Sequence, residues 1–490
     1  MPPVIPKRTG SANKQSLSIK GFRGINAQHT RQIGEPSAGK NFVVQNSILR
    51  TRDGCSLVTS DFPAAIKSIH QAPKVGMETK LVVEAGTTIY RRTTEAGEWE
   101  AIQSSSTSYG FSSVLWAIVD ENGSVSSNLY LAGGGTNKLY VYSIDTGTIG
   151  VWSNMDPIMS GVMPTMEFLC KHEGRMFGWG LNSAYPNRIY FCGYDETDAK
   201  NVSAEYWPED FWLDVSGSAA EPVLDAISLD GYMLVLTPRR HYRVYFADES
   251  NISIDEVGKI GMYKVRCAAK VGNYCLWLTQ EDGKFRVYAY SGSEAVPVSQ
   301  NVEELFSDYS FTNAFAFENG GEFWLVLPGS PTNKTTVFVY DLKDWFIYEY
   351  PFVINCAGAF GAVTGREYVH LGLNDNRIVK LDGSLTDLGT GITSELVIGS
   401  ISSLGRKTKI KRLWLTAEPT NDFDIDVYPT SDRGAEGSAI TAEFTTGVQE
   451  TVEVKIAGTK GRNNSLRLST TDRISGLKSG SITAVVGALK

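Results

Sequence analysis

Short runs of alternating apolar and polar residues, separated by turns rich in glycine and asparagine, recur along most of this chain. In residues 128–142, an apolar run meets a glycine-rich turn and an alternating run follows, ending at Tyr142. Alternation with a period of two predicts β-strands, and a glycine-rich break between two such runs predicts a hairpin. The same pattern occurs in seven segments: 80–92, 128–142, 175–195, 231–246, 273–292, 321–341 and 366–383.

The spacing of these hairpins predicts how they are arranged. Their starts lie 42 to 56 residues apart, and a repeat of about 40 to 50 residues with several short strands in each unit is typical of a β-propeller. Weaker strand candidates between the hairpins would supply further strands for each blade. We therefore predict an all-β chain with a seven-bladed propeller over residues 41–390.

A propeller hides its exposed strand edges when one end of the chain completes the blade formed by the other end. The segment 41–60 precedes the first hairpin and contains alternating apolar residues. We expect this segment to pair within the last blade and close the ring.

The pattern changes near Gly391, where the hairpin spacing ends and short alternating strands continue to the last residues. In one of them, Phe423, Ile425 and Val427 fall on one face, and Asp424 and Asp426 fall on the other. This alternation is typical of a sheet with one buried and one hydrated side. We predict a small β-sandwich over residues 391–490.

Composition supports a folded protein with a substantial core, since 42% of the 490 residues are hydrophobic and 11% are aromatic. No apolar run is long enough to predict a membrane span or a secretory signal. The cysteines form no C-x-x-C pair and mostly lie in apolar runs, which predicts reduced, buried thiols. The six are Cys55, Cys170, Cys192, Cys267, Cys275 and Cys356.

The net charge of −8 is unevenly distributed along the chain. Residues 1–40, here called the basic arm, carry seven Lys and Arg but one Glu, whereas residues 41–390 carry 26 basic and 42 acidic residues. The acidic part should repel phosphate backbones. The arm is either a disordered tail or a segment that becomes ordered on an acidic partner. In the second case its partner-binding residues are Lys7, Arg8, Lys14, Lys20, Arg23 and Arg31.

The sequence predicts no catalytic residue, no metal ligand and no cofactor. The segment 34–40 fits G-x-x-x-x-G-K, but Asn41 stands where a phosphate loop has Ser or Thr, and a strand-like run follows where a helix is needed. The glycines at 133–135 likewise precede a strand, which predicts a hairpin turn. Acidic pairs such as Glu303 and Glu304 leave open a glycosidase with two carboxylates.

Several short motifs together suggest a family. Gly24-Ile25-Asn26 lies near the start, the turn Arg52-Asp53-Gly54 precedes the first hairpin, and a β-rich terminal region opens with KIKRLWLTAE at 409–418. In this arrangement the chain resembles the tail-accessory proteins of short-tailed bacteriophages, namely the stabilisation or nozzle proteins that plug the tail below the portal and adaptor rings.

The resemblance implies a structural virion protein and not an enzyme. It would be located in the phage tail after assembly in the host cytoplasm, close the tail channel after genome packaging, and form part of the DNA exit path. Its partners would be portal or adaptor ring proteins, other copies of itself in a hexamer, and tail fibre or needle proteins. DNA would pass without specific binding. The alternative function is a propeller-type polysaccharide hydrolase or lyase, or a glycan-binding module.

Overall fold

A computed structural model describes most of the chain. The described residues are 13–19, 22–28, 36–60, 62–73, 80–92, 98–105, 107–119, 125–133, 139–152, 164–195, 198–202, 204, 206–361, 367–402, 408–431, 436–456 and 463–486. Regular structure in these ranges is almost entirely β-strand, and the one helix there is α1 (Glu303–Phe306). No helix in the described part of the chain is long and apolar enough to cross a membrane.

Five strands of the described residues precede the first of the four-stranded sheets, and they belong to different sheets. They are β1 (Asn13–Ile19), β2 (Pro36–Lys40), β3 (Phe42–Gln45), β4 (Ile48–Thr51) and β5 (Gly54–Thr59). The first four join sheets formed mainly by the last part of the chain, whereas β5 joins a sheet of the hairpin repeat.

Six four-stranded antiparallel sheets follow in order along the chain. Sheet one contains β6 (Ile66–Ala72), β7 (Lys80–Ala85), β8 (Thr88–Arg92) and β9 (Glu100–Ser104). Sheet two contains β10 (Ser112–Val119), β11 (Val125–Ala132), β12 (Leu139–Ser143) and β13 (Ile149–Trp152). Sheet three contains β14 (Phe168–His172), β15 (Arg175–Trp179), β16 (Arg188–Phe191) and β19 (Trp212–Asp214). Between β16 and β19 the chain forms a separate two-stranded ribbon of β17 (Tyr194–Asp195) and β18 (Asp198–Val202).

The next three sheets have the same plan. Sheet four contains β20 (Asp225–Leu229), β21 (Tyr232–Leu236), β22 (His241–Asp248) and β23 (Asn251–Gly258). Sheet five contains β24 (Ala268–Val271), β25 (Tyr274–Glu281), β26 (Lys284–Tyr290) and β27 (Val296–Pro297). Sheet six contains β28 (Phe315–Asn319), β29 (Glu322–Pro328), β30 (Thr335–Tyr340) and β31 (Trp345–Tyr350).

Sheet seven contains strands from both ends of the repeating region. It contains β32 (Ile354–Gly361), β33 (Glu367–Leu373) and β34 (Ile378–Ser384), then β5 from the start of the chain, extended by β35 (Thr386–Asp387) and β36 (Thr390–Gly391). All seven predicted hairpins are present as the second and third strands of these sheets.

The sheets stack face to face in a propeller-like arrangement. First strands of successive sheets contact each other from β10 through β14, β20, β24 and β28 to β32, and β32 contacts β6 of sheet one. Second strands are therefore enclosed on both sides: in β29 the run from Phe323 to Leu327 is buried at every position, as expected for a strand covered on both faces. The described sheets thus establish an all-β chain with a β-propeller fold.

The predicted closing segment 41–60 is only partly confirmed. Residues 54–59 form β5, which pairs antiparallel with β34 in sheet seven, with Cys55 opposite Leu381. Residues 42–51 instead form the hairpin β3–β4, and β4 pairs with a strand near the end of the chain. Asn41 and the turn Arg52-Asp53-Gly54 mark the two ends of this hairpin.

Two further sheets contain the last strands together with the first ones. The strands are β37 (Ser394–Ser402), β38 (Thr408–Ala417), β39 (Phe423–Ser431), β40 (Ile440–Phe444), β41 (Glu450–Lys455), β42 (Asn463–Thr470) and β43 (Ser475–Val486). One sheet has the order β3-β4-β43-β38-β41, with β1 also paired to β43, and the other has the order β2-β37-β42-β39-β40. We call this unit the terminal sheets. The predicted alternation at 423–427 is confirmed, since Phe423, Ile425 and Val427 are buried.

The strand pairing crosses the predicted domain boundaries at residues 40 and 391. β1 pairs with β43, and β2 pairs with β37, so the described part of the basic arm is not a free tail. The sequence could not show this, because a strand with an alternating pattern does not specify which distant strand will pair with it. The division into a basic arm (1–40), a propeller (41–390) and a sandwich (391–490) stays a prediction.

Candidate functional site

The outer edge of sheet six is covered by the start of the chain. β31 has a partner on one side only within its sheet, which leaves main-chain groups exposed at every second residue. Ile25 N donates to the oxygen of Trp345 at 2.8 Å, and Asn41 N donates to the oxygen of Ile347 at 2.7 Å. The side-chain oxygen of Asn41 accepts from Glu349 N at 2.7 Å. Residues of the predicted arm and hairpin thus replace a missing strand.

Arg52 completes this covering from inside the protein. One of its terminal nitrogens donates to the oxygen of Glu349 at 2.8 Å, and its Nε donates to the side chain of Asn41 at 2.9 Å. The guanidinium also donates to both carboxylate oxygens of Asp387, at 3.0 and 2.5 Å, and lies over the ring of Tyr350, 4.0 Å from its centroid. Its side chain is only 1% exposed. Burial alone lowers the pKa of Arg52, but Tyr350 and Asp387 together raise it above its ordinary value.

The motif Arg52-Asp53-Gly54 therefore has a physical explanation. Arg52 is enclosed where sheets six and seven meet the terminal sheets, and Gly54 lies against the backbone of β35. A Cβ atom on Gly54 would be 2.2 Å from the oxygen of Thr386. Only glycine fits this approach without movement of the backbone. We call Asn41, Arg52, Gly54 and Asp387 the junction cluster.

In the second motif, Gly24-Ile25-Asn26, the backbone of the chain also lies very close to its neighbours in and beside sheet six. A Cβ atom on Gly24 would be 2.6 Å from Cβ of Asp344 and 2.7 Å from the oxygen of Trp345. Ile25 is buried, with 1% of its surface exposed. Both motifs thus hold the first part of the chain against sheet six.

A cavity of about 860 Å³ lies beside the junction cluster. Sheet six forms one wall with Trp324, Tyr348 and Tyr350, and sheet seven forms a second wall that includes Tyr368 and Asp382. The terminal sheets and their connections form the third wall, in which the lining residues are Val43, Gln45, Arg50, Thr420, Asn421, Arg473 and Ile474. The cavity is therefore built from three parts of the fold that are far apart in sequence.

The first wall of the cavity carries two tyrosine hydroxyl groups. Tyr348 and Tyr350 are buried, with 5% and 1% of their surface exposed. Burial raises the pKa of each phenol, to well above the ordinary value for Tyr348. Both residues line the cavity, and no described residue forms a hydrogen bond with either hydroxyl. Neither hydroxyl is among the buried side-chain atoms of the described residues that lack a partner, so each is open to the cavity, where water or a ligand can bond to it.

The arginines around the cavity each have a hydrogen-bond acceptor within the protein. Arg473 donates to Asp53 at 2.9 Å, and Arg50 donates to Gln45 at 3.1 Å. On the first wall, Glu322 accepts from the indole nitrogen of Trp324 at 2.9 Å. Burial raises the pKa of Glu322, which this hydrogen bond partly offsets.

A side chain crosses the central part of the propeller. Arg266 precedes β24 of sheet five, yet it donates to the main-chain oxygen of Tyr109, which precedes β10 of sheet two, at 2.6 Å. Its guanidinium also lies 5.3 Å from the ring centroid of Phe315 in sheet six. Arg266 therefore occupies space between sheets on different sides of the ring.

The predicted partner-binding residues are only partly described. Lys7, Arg8, Lys20 and Arg31 lie outside the described residues. Lys14 is in β1, opposite Val485 of β43, and Arg23 is exposed beside Gly24. Burial raises the pKa of Asp344, and the positive charge of Arg23 acts against that rise. The role of these six residues stays a prediction.

The thiols match the sequence prediction. All six cysteines are free, and five of them are buried, whereas Cys170 is half-buried. Burial raises the pKa of Cys55, Cys170, Cys267 and Cys356 to about 12. Such thiols are protonated at neutral pH and are poor nucleophiles.

Sequence reasoning found Arg52 and Gly54 as a motif but missed their partners. Asp387 is 335 residues away from Arg52, and no local pattern connects them. The tyrosines at 348 and 350 were visible only as alternating positions of a strand, which is also the pattern of ordinary core residues. The cavity could be found only once the three walls were assembled.

Comparison with known proteins finds similar solved structures but no family. No protein-family model and no curated protein matches this chain. Among solved structures, it is similar to the extracellular domain of a hybrid two-component system from B. thetaiotaomicron, at 10% identity and a TM-score of 0.42, over 83% of this chain and 48% of that one. It is also similar to the WD40 domain of Neurospora crassa Pan2, at 11% identity and a TM-score of 0.40, over 69% and 97%. An exo-β-1,3-galactanase from Phanerochaete chrysosporium, solved with galactose, matches at 10% identity and a TM-score of 0.27, over 90% and 100%.

Proposed function

We propose that this chain is a structural component of a bacteriophage tail, a nozzle or stabilisation protein with a seven-bladed propeller and a small β-sandwich. The seven sheets of the repeat correspond to the seven blades, and the terminal sheets correspond to the sandwich. In this role the protein is not an enzyme and needs no cofactor. It closes the tail channel after packaging and forms part of the DNA exit path.

The observation that carries this proposal is the way in which the start of the chain connects the two units. Main-chain and side-chain groups of Ile25, Asn41 and Arg52 cover the edge of β31, while β1 to β4 lie in the terminal sheets. Buried hydrogen bonds at a junction oppose hinge motion between units. A protein that resists the pressure of packaged DNA needs such a rigid connection, whereas a simple binding module does not.

Arg266 and the charge of the chain support a position for the proposed exit path between copies. Because Arg266 crosses between sheets five and two, DNA would not pass through the propeller of one copy, and the path would lie between copies around the tail axis. A hexamer of a chain whose residues 41–390 carry 42 acidic and 26 basic residues would present a surface that repels phosphate. DNA could then slide past without binding.

The proposed partners are the portal or adaptor rings, other copies of this chain, and tail fibre or needle proteins, in a virion tail assembled in the host cytoplasm. To test this, purified chain is mixed with portal and adaptor rings of a short-tailed phage, and ring binding is measured by co-sedimentation and electron microscopy. We expect several copies on each ring. A chain that stays monomeric and unbound at every concentration would contradict the proposal.

The basic arm provides a second, matched test. The arm variant has Ser in place of six basic residues: Lys7, Arg8, Lys14, Lys20, Arg23 and Arg31. It should bind the ring much more weakly than the wild type. The difference should be larger at low salt, because salt screens the charge contacts of the wild type, with a Debye length of about 10 Å at 0.1 M. The control replaces six exposed basic residues outside the arm. Equal binding by the arm variant and the wild type would show that the arm has no docking role.

A further inference from the structure

The cavity beside the junction cluster has the dimensions of a ligand site. Its volume of about 860 Å³ is within the range of about 300 to 1,000 Å³ that small-molecule sites occupy. It lies where three parts of the fold meet, which is a common position for such sites. A ligand there would contact sheet six, sheet seven and the terminal sheets at once.

The charges of the lining do not select a charged ligand. The guanidinium of Arg52 is fully occupied by Asp387, Asn41 and Glu349, and Arg473 is paired with Asp53. Arg50, the third arginine of the lining, donates to the neutral Gln45. The three arginines are matched in number by the carboxylates of Asp53, Glu322 and Asp382 in the same lining. A phosphate or carboxylate ligand would have to compete for them beside the acidic groups of the same walls, so anions are disfavoured.

The acidic groups are similarly engaged. Asp382 accepts hydrogen bonds from the hydroxyl groups of Ser56 and Ser384, and Glu322 accepts from Trp324. Among the described residues, no group of three or more His, Cys, Asp or Glu side chains is placed to hold a metal ion. A cationic ligand would therefore meet carboxylates whose hydrogen-bonding capacity is already partly used.

Two polar groups face the cavity with capacity to spare. Tyr348 and Tyr350 have side chains that are more than nine-tenths buried and that line the cavity. Their hydroxyls are open to it, since neither is among the buried side-chain atoms without a partner. A phenol can donate one hydrogen bond and accept others. These hydroxyls fit a ligand that both donates and accepts without carrying charge, and hydroxyl groups have that property.

Apolar side chains lie among the polar ones. Val43, Val369 and Leu385 line the same cavity, and Leu385 is 61% exposed. A ligand that fits this lining needs hydroxyl groups at its rim and C–H groups on its faces. From these observations we infer that the cavity binds a neutral saccharide of a few sugar rings, which bridges the propeller and the terminal sheets. This inference does not depend on the proposed tail function.

The test uses the full chain and an array of neutral oligosaccharides built from glucose, galactose, mannose, rhamnose and N-acetylglucosamine, with sialylated and uronic-acid oligosaccharides as anionic probes. Calorimetric titration then measures the dissociation constant for the best neutral probe. We expect binding of at least one neutral probe and a loss of about tenfold when both cavity hydroxyls are removed by Tyr348→Phe and Tyr350→Phe.

The matched control is Tyr274→Phe, which removes a hydroxyl from an exposed tyrosine on sheet five and should leave binding unchanged. The double variant keeps both rings, including the one under Arg52, so its unfolding midpoint should match the wild type. If it does not, Leu385→Trp, at an exposed lining position, serves as the second variant and should block the cavity. The inference is overturned if no neutral probe binds, if only anionic probes bind, or if neither cavity variant weakens binding.

Discussion

Arg52 and Asp387 form a two-pronged ion pair that is almost wholly removed from solvent, with 1% and 4% of their side chains exposed. Arg52 lies just before β5, the strand that completes sheet seven, and Asp387 is the last residue of β35 in the same sheet. The pair therefore connects the chain segment that leads into the propeller, just before β5, with the segment that leads out of it, at β35.

The first prediction concerns this pair. Arg52→Met or Asp387→Leu alone should lower the free energy of unfolding by about 3–5 kcal/mol, because each leaves a buried charge without its partner. The double variant should recover most of that loss. Urea unfolding followed by tryptophan fluorescence measures the difference.

The control for the ion pair is the exposed pair of Arg240 and Glu256, with side chains 42% and 38% exposed. Arg240→Met should leave stability nearly unchanged, because solvent screens an exposed ion pair. If the single substitutions at the buried pair are as mild as this one, the pair does not hold the junction together.

The second prediction concerns Gly54. An alanine there would place Cβ 2.2 Å from the oxygen of Thr386, a backbone atom that cannot easily move. Gly54→Ala should therefore destabilise the protein by about 1–3 kcal/mol. Gly217→Ala is the matched control, since a Cβ at that position has no heavy atom within 4 Å, and it should shift stability by less than about 0.5 kcal/mol. Equal melting temperatures for the two variants would rule out the close-approach explanation.

The third prediction separates the closing strand from the arm. Deletion of residues 1–60 removes β5 and leaves β34 with an open edge, so the propeller should lose its cooperative thermal transition. Deletion of residues 1–30 keeps β2 to β5, and the propeller transition should persist. Differential scanning calorimetry distinguishes the two. A sharp transition in the larger deletion would show that β5 is dispensable for closure.

The fourth prediction concerns pH. Burial raises the pKa of Asp225, on the first strand of sheet four, to about 7. Burial also raises the pKa of Cys170, Cys267 and Cys275, and the nearby Asp225 carboxylate adds to that rise. The native state thus holds the Asp225 proton more tightly than the unfolded chain does. The stability from this proton is complete below about pH 4 and is lost as the pH rises to about 7.

Asp225→Asn removes this dependence. Relative to the variant, the wild type should lose up to about 4 kcal/mol of unfolding free energy between pH 4 and pH 8, at about 1.4 kcal/mol for each unit of pKa shift. Chemical unfolding at both pH values measures this. If wild type and variant differ in unfolding free energy by the same amount at pH 4 and at pH 8, the pKa of Asp225 is the same in the folded and unfolded states, and the prediction is wrong.

The repeating part of the fold could be predicted from sequence because its information is local. Each hairpin shows its alternation and its turn within about 20 residues, and the seven hairpins recur at similar spacing. The pairing of β5 with β34 could also be expected, since a ring of blades needs its edge strands covered. The buried and exposed positions from Phe423 to Val427 followed from the same rule of alternation.

The parts that sequence could not predict depend on distant partners. Nothing in residues 13–19 specifies that they pair with residues 480–486, because main-chain hydrogen bonds are available to any strand. The candidate site is harder still, since Tyr348 and Tyr350 differ from core residues only in what surrounds their hydroxyl groups. The sequence of the basic arm shows only an excess of positive charge, and charge alone does not identify the partner to which a segment binds.

The pairing of the first strands with the last ones also sets an order of events during synthesis. β1 and β4 cannot find β43 until residues 475–486 have left the ribosome, and at about 5–20 residues per second the whole chain takes roughly half a minute or more to make. During that time β1 and β4 have no partner strand, while the part of the chain that follows them forms sheets one to six. A product that ends before residue 475 would therefore lack β43, and β1 and β4 would have no strand with which to complete the junction.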